Sequence, residues 1–491
     1  MTSALQRRRE AGDEFTGCVA VCPDFSAERP IEVEVSQAQL TGEAGLLPIR
    51  QFDEAIRLTA RFGAALWDAR GGEVLHSNLS MVRQRIYGIL ADYEDQNDHD
   101  TLRSDPAFKR VCDRLPNGID LASQPTLSRF ENAVSIADLR RLRDALCDEF
   151  LDAFTVPPAR ITLDMDAFDD PAHGRQQLIF FHGFYEQYQY LPIAMTCAET
   201  DRVALVGLRH GTCAATLGAD ADLRYLARRI RERFPDVEII VRADSAFGVP
   251  LMYDVCEELR LTHTFGLAMN PRLKAASADL VAQAEKPFEE TGVKQRLFLP
   301  LMYQADSWDQ PRQVVIKCEA QAQGTNRRAV STNRPGWLVN PTAVYDEYTE
   351  RGESENRNKE LKRELAADRL SDHRFLANFF RLYLHAAALN LLVRLRRATA
   401  RPITVNMTDL DRSVPPEALA GRDRHTWFNR RRHHDPLGAG FACTWRQRLI
   451  KAAAEITVSA RRVLVRLSAS WPFADEYRRI SQAALAHPRS P

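Results

Sequence analysis

From Ser80 to about Phe154 apolar residues recur every three or four positions. MVRQRIYGILADY, DPAFKRVCDRL and ADLRRLRDALCDEFLDAF all carry this spacing, which predicts a largely helical region. Between them QPTLSRFENAV predicts a short helix entered through Pro125 and Thr126, with Ser128 and Glu131 spaced like a capping box. At Pro157-Pro158 the period changes to two. RITLDMDAF, QLIFFHGFY and QYLPIAMTC predict three consecutive strands joined by short turns. ADLRYLARRIRERF then reads as an amphipathic helix, with Leu223, Leu226, Ile230 and Phe234 on one face. VEIIVRAD predicts a strand buried on both faces, followed by a helix over 250–259 and the strand HTFGLAM. Three strands followed by helix, strand, helix and strand predict an α/β sheet with an antiparallel hairpin edge and a parallel interior.

The alternation stops at 271–340, where LFLPLMY and QVVIKCEA predict a β-rich insertion. Residues 344–366 are charged and helix-forming. RFLANFFRLYLHAAALNLLVRLRR predicts a long buried helix, 398–440 a basic loop, and TWRQRLIKAAAEITVSARRVLVRL a final helical segment. The first 79 residues are harder to read, apart from IEVEV (31–35), which alternates like a strand.

Composition changes this picture in three ways. The 491 residues hold 66 basic and 66 acidic side chains, but unevenly: residues 1–350 carry 39 basic and 52 acidic, and residues 351–491 carry 27 and 14. A zero total argues against a basic coat protein and an acidic disordered chain, yet it leaves a basic final quarter free to meet phosphates. No stretch offers the roughly 20 uninterrupted apolar residues that span a bilayer, since Arg381 and His385 break the best candidate. MTSALQRRREAGDEF has no apolar run after its basic residues, so no secretory signal is expected. Nine scattered cysteines, with Cys18 and Cys22 the only close pair, suit reduced thiols in a cytoplasmic protein.

Three groups of acids carry candidate chemistry. In ITLDMDAFDD, Ile161, Leu163 and Met165 share one strand face while Asp164 and Asp166 share the other. Paired carboxylates there resist burial unless a cation or donors compensate them. Asp244 closes an apolar strand, where α/β sheets place ligands. In YTERGESENRNKELK, Tyr348, Arg351, Glu355 and Lys362 fall on one helical stripe. Three carboxylates gathered from two strands and a helix suit two Mg²⁺ ions and phosphodiester chemistry. Each group also has a plain reading: solvated turn acids, a helix cap and a solvated charged face.

These blocks resemble, in order, the bacterial insertion-sequence transposases of the DDE type, in the branch called DDE transposase group 1. The matching stretches are ADYEDQNDHDTLRSDPAFK, SQPTLSRFENAVS, LDMDAFDDPAHGRQ, FFHGFYEQYQYLPI, VRADSAFG, RGESENRNKE and TVSARRVLVRL, spread from about residue 76 to 470. The stripe also resembles a tyrosine–arginine–glutamate–lysine signature of cut-and-paste transposases. The resemblance implies a ribonuclease-H-like α/β core. It assigns 1–157 to a largely helical, DNA-end-binding region, 158–270 to the first part of the core and 271–340 to the β-rich insertion. Residues 341–366 become the helix carrying the third acid, and 367–491 a basic helical C-terminal region.

It further implies Asp166, Asp244 and Glu355 as catalytic acids and ligands of two Mg²⁺ ions, for which Mn²⁺ substitutes. Asp164 is an added ligand or an alternative first acid, and Glu353 a weaker alternative third. Tyr348, Arg351 and Lys362 would grip phosphates, and Trp308 is the candidate for stacking on an extruded base, with a core tryptophan as its plain reading. Gln124, Thr126, Ser128 and Arg129 are candidates for reading DNA, against an ordinary packing helix. The implied partners are double-stranded DNA (terminal inverted repeats and target) and a second copy of the chain on that DNA, with no membrane. The implied setting is the bacterial cytoplasm at the nucleoid. A non-catalytic DNA-binding relative and a metal-dependent nuclease without strand transfer are the competing readings. The roughly 40 residues at 398–440 depart from the family pattern.

Overall fold

The structure is a computed structural model that describes residues 38–401 and 421–489. The IEVEV strand, Cys18, Cys22 and residues 402–420 of the basic loop lie outside the described residues.

In chain order the strands are β1 (Leu40–Thr41), β2 (Arg160–Ala167), β3 (Asp170–Pro171), β4 (Phe180–His182), β5 (Gln187–Tyr190), β6 (Ile193–Cys197) and β7 (Val203–Gly207). They continue as β8 (Glu238–Ala243), β9 (Thr262–Leu267), β10 (Gln295–Tyr303), β11 (Arg312–Gln321), β12 (Gly324–Thr332), β13 (Ala454–Val458) and β14 (Val463–Leu467). Eight of them form one sheet in the order β10-β11-β12-β9-β8-β2-β6-β7. β2 pairs parallel with β8, and β8 parallel with β9, while β6 and β7 are antiparallel neighbours. The run β7-β6-β2-β8-β9 is a ribonuclease-H-like order, with β2 at its centre.

Period-two patterning sets the two faces of β2. Ile161, Leu163 and Met165 join a core with Leu223, Leu226 and Ile230 of the helix Ala219–Arg233, and with Met252 and Val255 of the helix Pro250–Glu258. Burying one such aliphatic side chain contributes about 1.5–3 kcal/mol. Phe234 lies just past its helix but is also buried in this core.

Three sequence expectations change here. QLIFFHGFY does not add a strand to the main sheet: Phe180–His182 pairs with β5, and β3-β5-β4 form a small separate sheet. The third antiparallel core strand is instead β7, from RVALVGL. Its backbone is satisfied by Asn390, whose side chain accepts from Val203 N at 2.8 Å and donates to Val203 O at 2.9 Å. This covers part of an edge that would otherwise invite pairing. The insertion opens with two helices, Pro271–Ala276 and Ala278–Thr291, before β10–β12, and β12 pairs with β9 to continue the main sheet.

The helical region holds Asn78–Leu90, Gln124–Asn132 and Ile136–Leu151, with shorter turns between. The capping box lies elsewhere than expected. Ser135 and Asp138 form it at the start of Ile136–Leu151, whereas Glu131 is fully buried between Arg85 (2.7 Å) and Arg381 (2.5 Å). The long helix Phe375–Thr399 passes through the protein interior and packs on Asn78–Leu90, Ile136–Leu151 and β7. It is long and apolar enough to cross a membrane, but most of it is buried inside the protein.

The expected final helix is short. After Ala442–Trp445 and a π turn at 446–450 the chain forms the hairpin β13–β14, which pairs with β1. Ile456 and Val458 alternate with polar neighbours, and β-branched residues favour a pleated surface. The RRRHH run belongs to the helix Gly421–His434 rather than to a loop.

The charge gradient along the chain is partly folded back on itself. Arg394 meets Glu149, Arg397 meets Asp201, Arg446 meets Asp92 and Lys451 meets Glu43. The basic final quarter thus neutralises acids of the first half as well as offering charge to solvent.

Candidate active site

Met165 of β2 and Ala243 of β8 are parallel register partners. Asp166 follows on β2 and Asp244 comes directly after β8, so the sheet brings both carboxylates to the same end. Asp166 is half-buried; its Oδ1 accepts from Ala167 N at 3.0 Å and its Oδ2 from Asn358 Nδ2 at 2.9 Å. Burial pushes its pKa up to about 6, and the Asp244 charge adds to the rise against Arg351 and Asn358. Asp244 Oδ1 accepts from Ala246 N at 2.9 Å, so a backbone turn aims this carboxylate.

The charged segment is two consecutive helices, Pro341–Thr349 and Gly352–Lys359, followed by a π turn at Glu360–Glu364. The second helix lies on the polar face of β2 and β6. Ser354 meets Thr196 of β6 through their hydroxyls at 2.8 Å, and Asn358 meets Asp166. Ser354 and Asn358 are one helical turn apart, so together they lay this face on the sheet. Glu355 is left on the open side, with its side chain 46% exposed.

Arg351 connects the acids. Its Nη2 donates to Glu355 Oε1 at 2.8 Å, and its Nη1 stands 3.9 Å from Asp166 Oδ2. The Tyr348 hydroxyl lies against Gly266 of β9. A Cβ there would stand 2.7 Å from that hydroxyl and 2.8 Å from Ser245 N, so only glycine leaves room. Burial raises the Tyr348 pKa and the adjacent Arg351 opposes the rise. Lys362, in the π turn, pairs with Asp169 just beyond β2.

Asp164 has a different environment. It is 2% exposed and receives a two-pronged ion pair from Arg242, Nε to Oδ1 at 2.7 Å and Nη2 to Oδ2 at 2.8 Å. Burial works against the Arg242 charge, but the Asp164 carboxylate beside it holds its pKa above the ordinary value. Both Asp164 oxygens are thus taken by a guanidinium, which does not suit the expected added metal ligand. The sequence held a signal for this pair. Asp164-x-Asp166 and Arg242-x-Asp244 have equal spacing on adjacent parallel strands, so matching Asp166 with Asp244 also matches Asp164 with Arg242.

Trp308 does not stand open for base stacking. It is 6% exposed, with Tyr253 and Tyr303 rings 5.3 and 5.5 Å away in edge-on contact. Arg129 is exposed on Gln124–Asn132, whose Leu127 and Glu131 face inward. Glu353 lies two residues from Glu355, on the other side of the helix, and accepts from Asn356 at 3.3 Å. Sequence reasoning missed Ser354, Asn358 and Arg242, the residues that seat the helix and fix Asp164.

The donor set is all carboxylate oxygen, which suits hard divalent ions such as Mg²⁺ or Mn²⁺. The pKa of Asp166 is raised mainly by burial, with the neighbouring Asp244 charge adding to it, and a cation would relieve both. Among the described residues no three acidic, histidine or cysteine side chains converge closely enough to hold an ion as they stand. Glu355 is turned onto Arg351 instead.

Comparison with solved structures returns a piggyBac transposase synaptic complex with hairpin DNA, at 13% identity and a TM-score of 0.37, covering 73% of this chain and 77% of that one. No curated protein matches. The family described as transposase DDE domain group 1 matches residues 24–411, and the chain belongs to that family.

Proposed function

We propose that this chain binds the terminal inverted repeats of an insertion sequence, cleaves them and joins the 3′ ends to target DNA. The observation that carries the reading is the placement of Asp166 and Asp244 side by side at one sheet end, with the Glu355 helix seated across it through Asn358 and Ser354. Asp166, Asp244 and Glu355 would hold Mg²⁺, or Mn²⁺ in its place. Such ions supply a nucleophilic oxygen at neutral pH and stabilise charge on the attacking and leaving oxygens of the phosphodiester.

The chain's own residues do the rest. Asn358 fixes the Asp166 carboxylate, and the backbone turn at Ala246 fixes Asp244. Arg351 holds Glu355 by one oxygen and stands beside Asp166; with Glu355 on the ions, its guanidinium would be free for a phosphate oxygen. Tyr348 and Lys362 would add contacts to the phosphates near the cut. Cleavage frees a 3′-hydroxyl, and joining exchanges one phosphodiester for another, so no nucleotide cofactor is required. Arg129 is exposed and would contact the ends. Two ends must be brought together, so the working form is a dimer on DNA, at the bacterial nucleoid.

The test is incubation with Mg²⁺ and a duplex carrying the ends of the chain's own element, found as inverted repeats flanking its gene. Nicked ends and joined products are expected. Nicks without joined products would favour a nuclease, and binding without either would favour a non-catalytic relative.

A further inference from the structure

The sheet β3-β5-β4 carries a cluster of aromatic rings that the main core does not use. Phe181 is 49% exposed, Tyr188 61% and Phe184 83%, and Phe180 is also exposed. Isolated exposed aromatics are ordinary, but four within nine residues form a patch that asks for an occupant. Phe181 and Tyr188 are register partners, with their rings 5.5 Å apart in edge-on contact on one face of the ribbon. Phe184 and Tyr185 meet at the tip at 5.0 Å.

The ribbon is braced rather than loose. Tyr190 donates its hydroxyl to Gln177 O at 2.6 Å, Gln177 N donates to His373 O at 2.9 Å, and Gly211 N donates to Leu178 O at 3.3 Å. Gly211 lies so close that a Cβ there would meet Gln189 O at 2.1 Å. Gln187 donates to Asp169 at 3.1 Å, and Asp169 in turn holds Lys362. The ribbon is therefore tied to β2 and to the turn that follows the Glu355 helix.

We propose that this ribbon, with Phe184 at its tip and Phe181 and Tyr188 on its outer face, stacks on unpaired DNA bases beside the cut. The proposal rests on the transposase reading of the acids and names the element that receives the bases. Three observations select nucleobases over another protein surface. From Leu178 to Tyr190 the only acid or base besides His182 is Glu186, so the ribbon offers rings rather than charge. Base–aromatic stacking needs a π-face and tolerates any sequence. Next, the ribbon borders the acids: Gln187 of β5 donates to Asp169 at 3.1 Å, three residues along the chain from Asp166. A phosphodiester held at those acids thus brings its neighbouring bases to the ribbon. Finally, Trp308, the aromatic the sequence offered for this role, is buried.

The experiment compares binding of the full chain, in Mg²⁺-free buffer, to three probes: a blunt duplex, the same duplex with a four-thymidine 3′ overhang, and that overhang made abasic. Wild type should prefer the thymidine overhang over both others by about tenfold, the scale of stacking one base. In Phe184→Ala and in Phe181→Ala/Tyr188→Ala that ratio should fall to about one. The exposure of Phe184 predicts an unchanged melting temperature for the first variant, which serves as the folding control. Equal wild-type affinity for the thymidine and abasic overhangs, or a full preference kept by both variants, overturns the proposal. So does a change in oligomeric state of Phe184→Ala without DNA while the preference persists, which would make the ribbon a protein interface. Failure of wild type to bind any probe would overturn the transposase reading along with it, whereas binding without an overhang preference overturns the ribbon alone.

Discussion

Replacing Asp164 by alanine leaves Arg242, 2% exposed, without its two-pronged partner. Breaking a buried pair from one side destabilises by about 3–5 kcal/mol, because a charge stays buried and uncompensated. Arg242 Nη1 keeps Glu347 O at 2.6 Å and has Glu350 Oε2 at 3.3 Å. Glu350 is more than half exposed and binds at a screened surface. The expected loss is therefore at the low end, about 3 kcal/mol. Asp164→Leu/Arg242→Met removes both charges and fills the space with apolar groups, so most of that loss should return. The assay is urea unfolding of Asp164→Ala and, as a double-mutant cycle, of wild type, Asp164→Leu, Arg242→Met and the double variant. Mg²⁺-dependent cleavage is measured on each folded variant. The double variant should still cleave. A loss below about 1 kcal/mol in Asp164→Ala, or a double variant no more stable than the single one, refutes the structural role. A folded double variant that has lost cleavage returns Asp164 to the metal ligands.

Three further outcomes follow from the same geometry. Asn358→Ala frees one oxygen of Asp166 and should lower cleavage by about ten- to a hundredfold through misplacement of that acid, measured as single-turnover rate with unfolding followed in parallel. Glu355→Gln should abolish cleavage while Glu353→Gln retains it; the reverse would move the third acid. His385 is buried on the long helix, where burial and then the Arg85 charge push its pKa down to about 3. It stays neutral in the fold while the unfolded chain binds a proton near the ordinary value, so its contribution is complete above about pH 6.5 and is lost as pH falls towards 3. Between pH 6.5 and 5 the loss is about 1.6 kcal/mol. Urea midpoints at the two pH values should show a smaller drop for His385→Gln, and an unchanged drop would refute this.

Much of the core was legible because its elements follow one period each. β2, β8 and the helix Ala219–Arg233 stand where alternation or helical spacing predicted them. The errors share a cause: local apolar content does not say which sheet a strand joins. FFH is as apolar as a core strand, yet its rings remain outside, while VALVG was passed over although all but its last residue are buried. ITVSARRVLVRL carries arginines at near-helical spacing, and this masked the alternation of Ile456 and Val458 that makes a hairpin. At the site, pattern and resemblance singled out Asp166, Asp244 and Glu355, and the sheet register brings the first two to one end. The Asp164–Arg242 pair was carried only by the matched spacing of the two strands, which becomes a signal once β2 and β8 are set side by side in this register. Ser354 and Asn358 were hidden by the charged residues around them, since their role depends on the polar face of β2 and β6 that they cover.

The central claim is that Asp166, Asp244 and Glu355 together hold the ions that cut DNA. Bound Mn²⁺ can be counted by electron paramagnetic resonance on the chain–duplex complex, with cleavage followed in the same samples. The account predicts that Asp166→Ala, Asp244→Ala and Glu355→Ala each lose bound Mn²⁺ and cleavage together while still binding the duplex. Any one of them that retains the wild-type ion count and cuts normally contradicts the assignment of that acid, and all three doing so would contradict the claim itself.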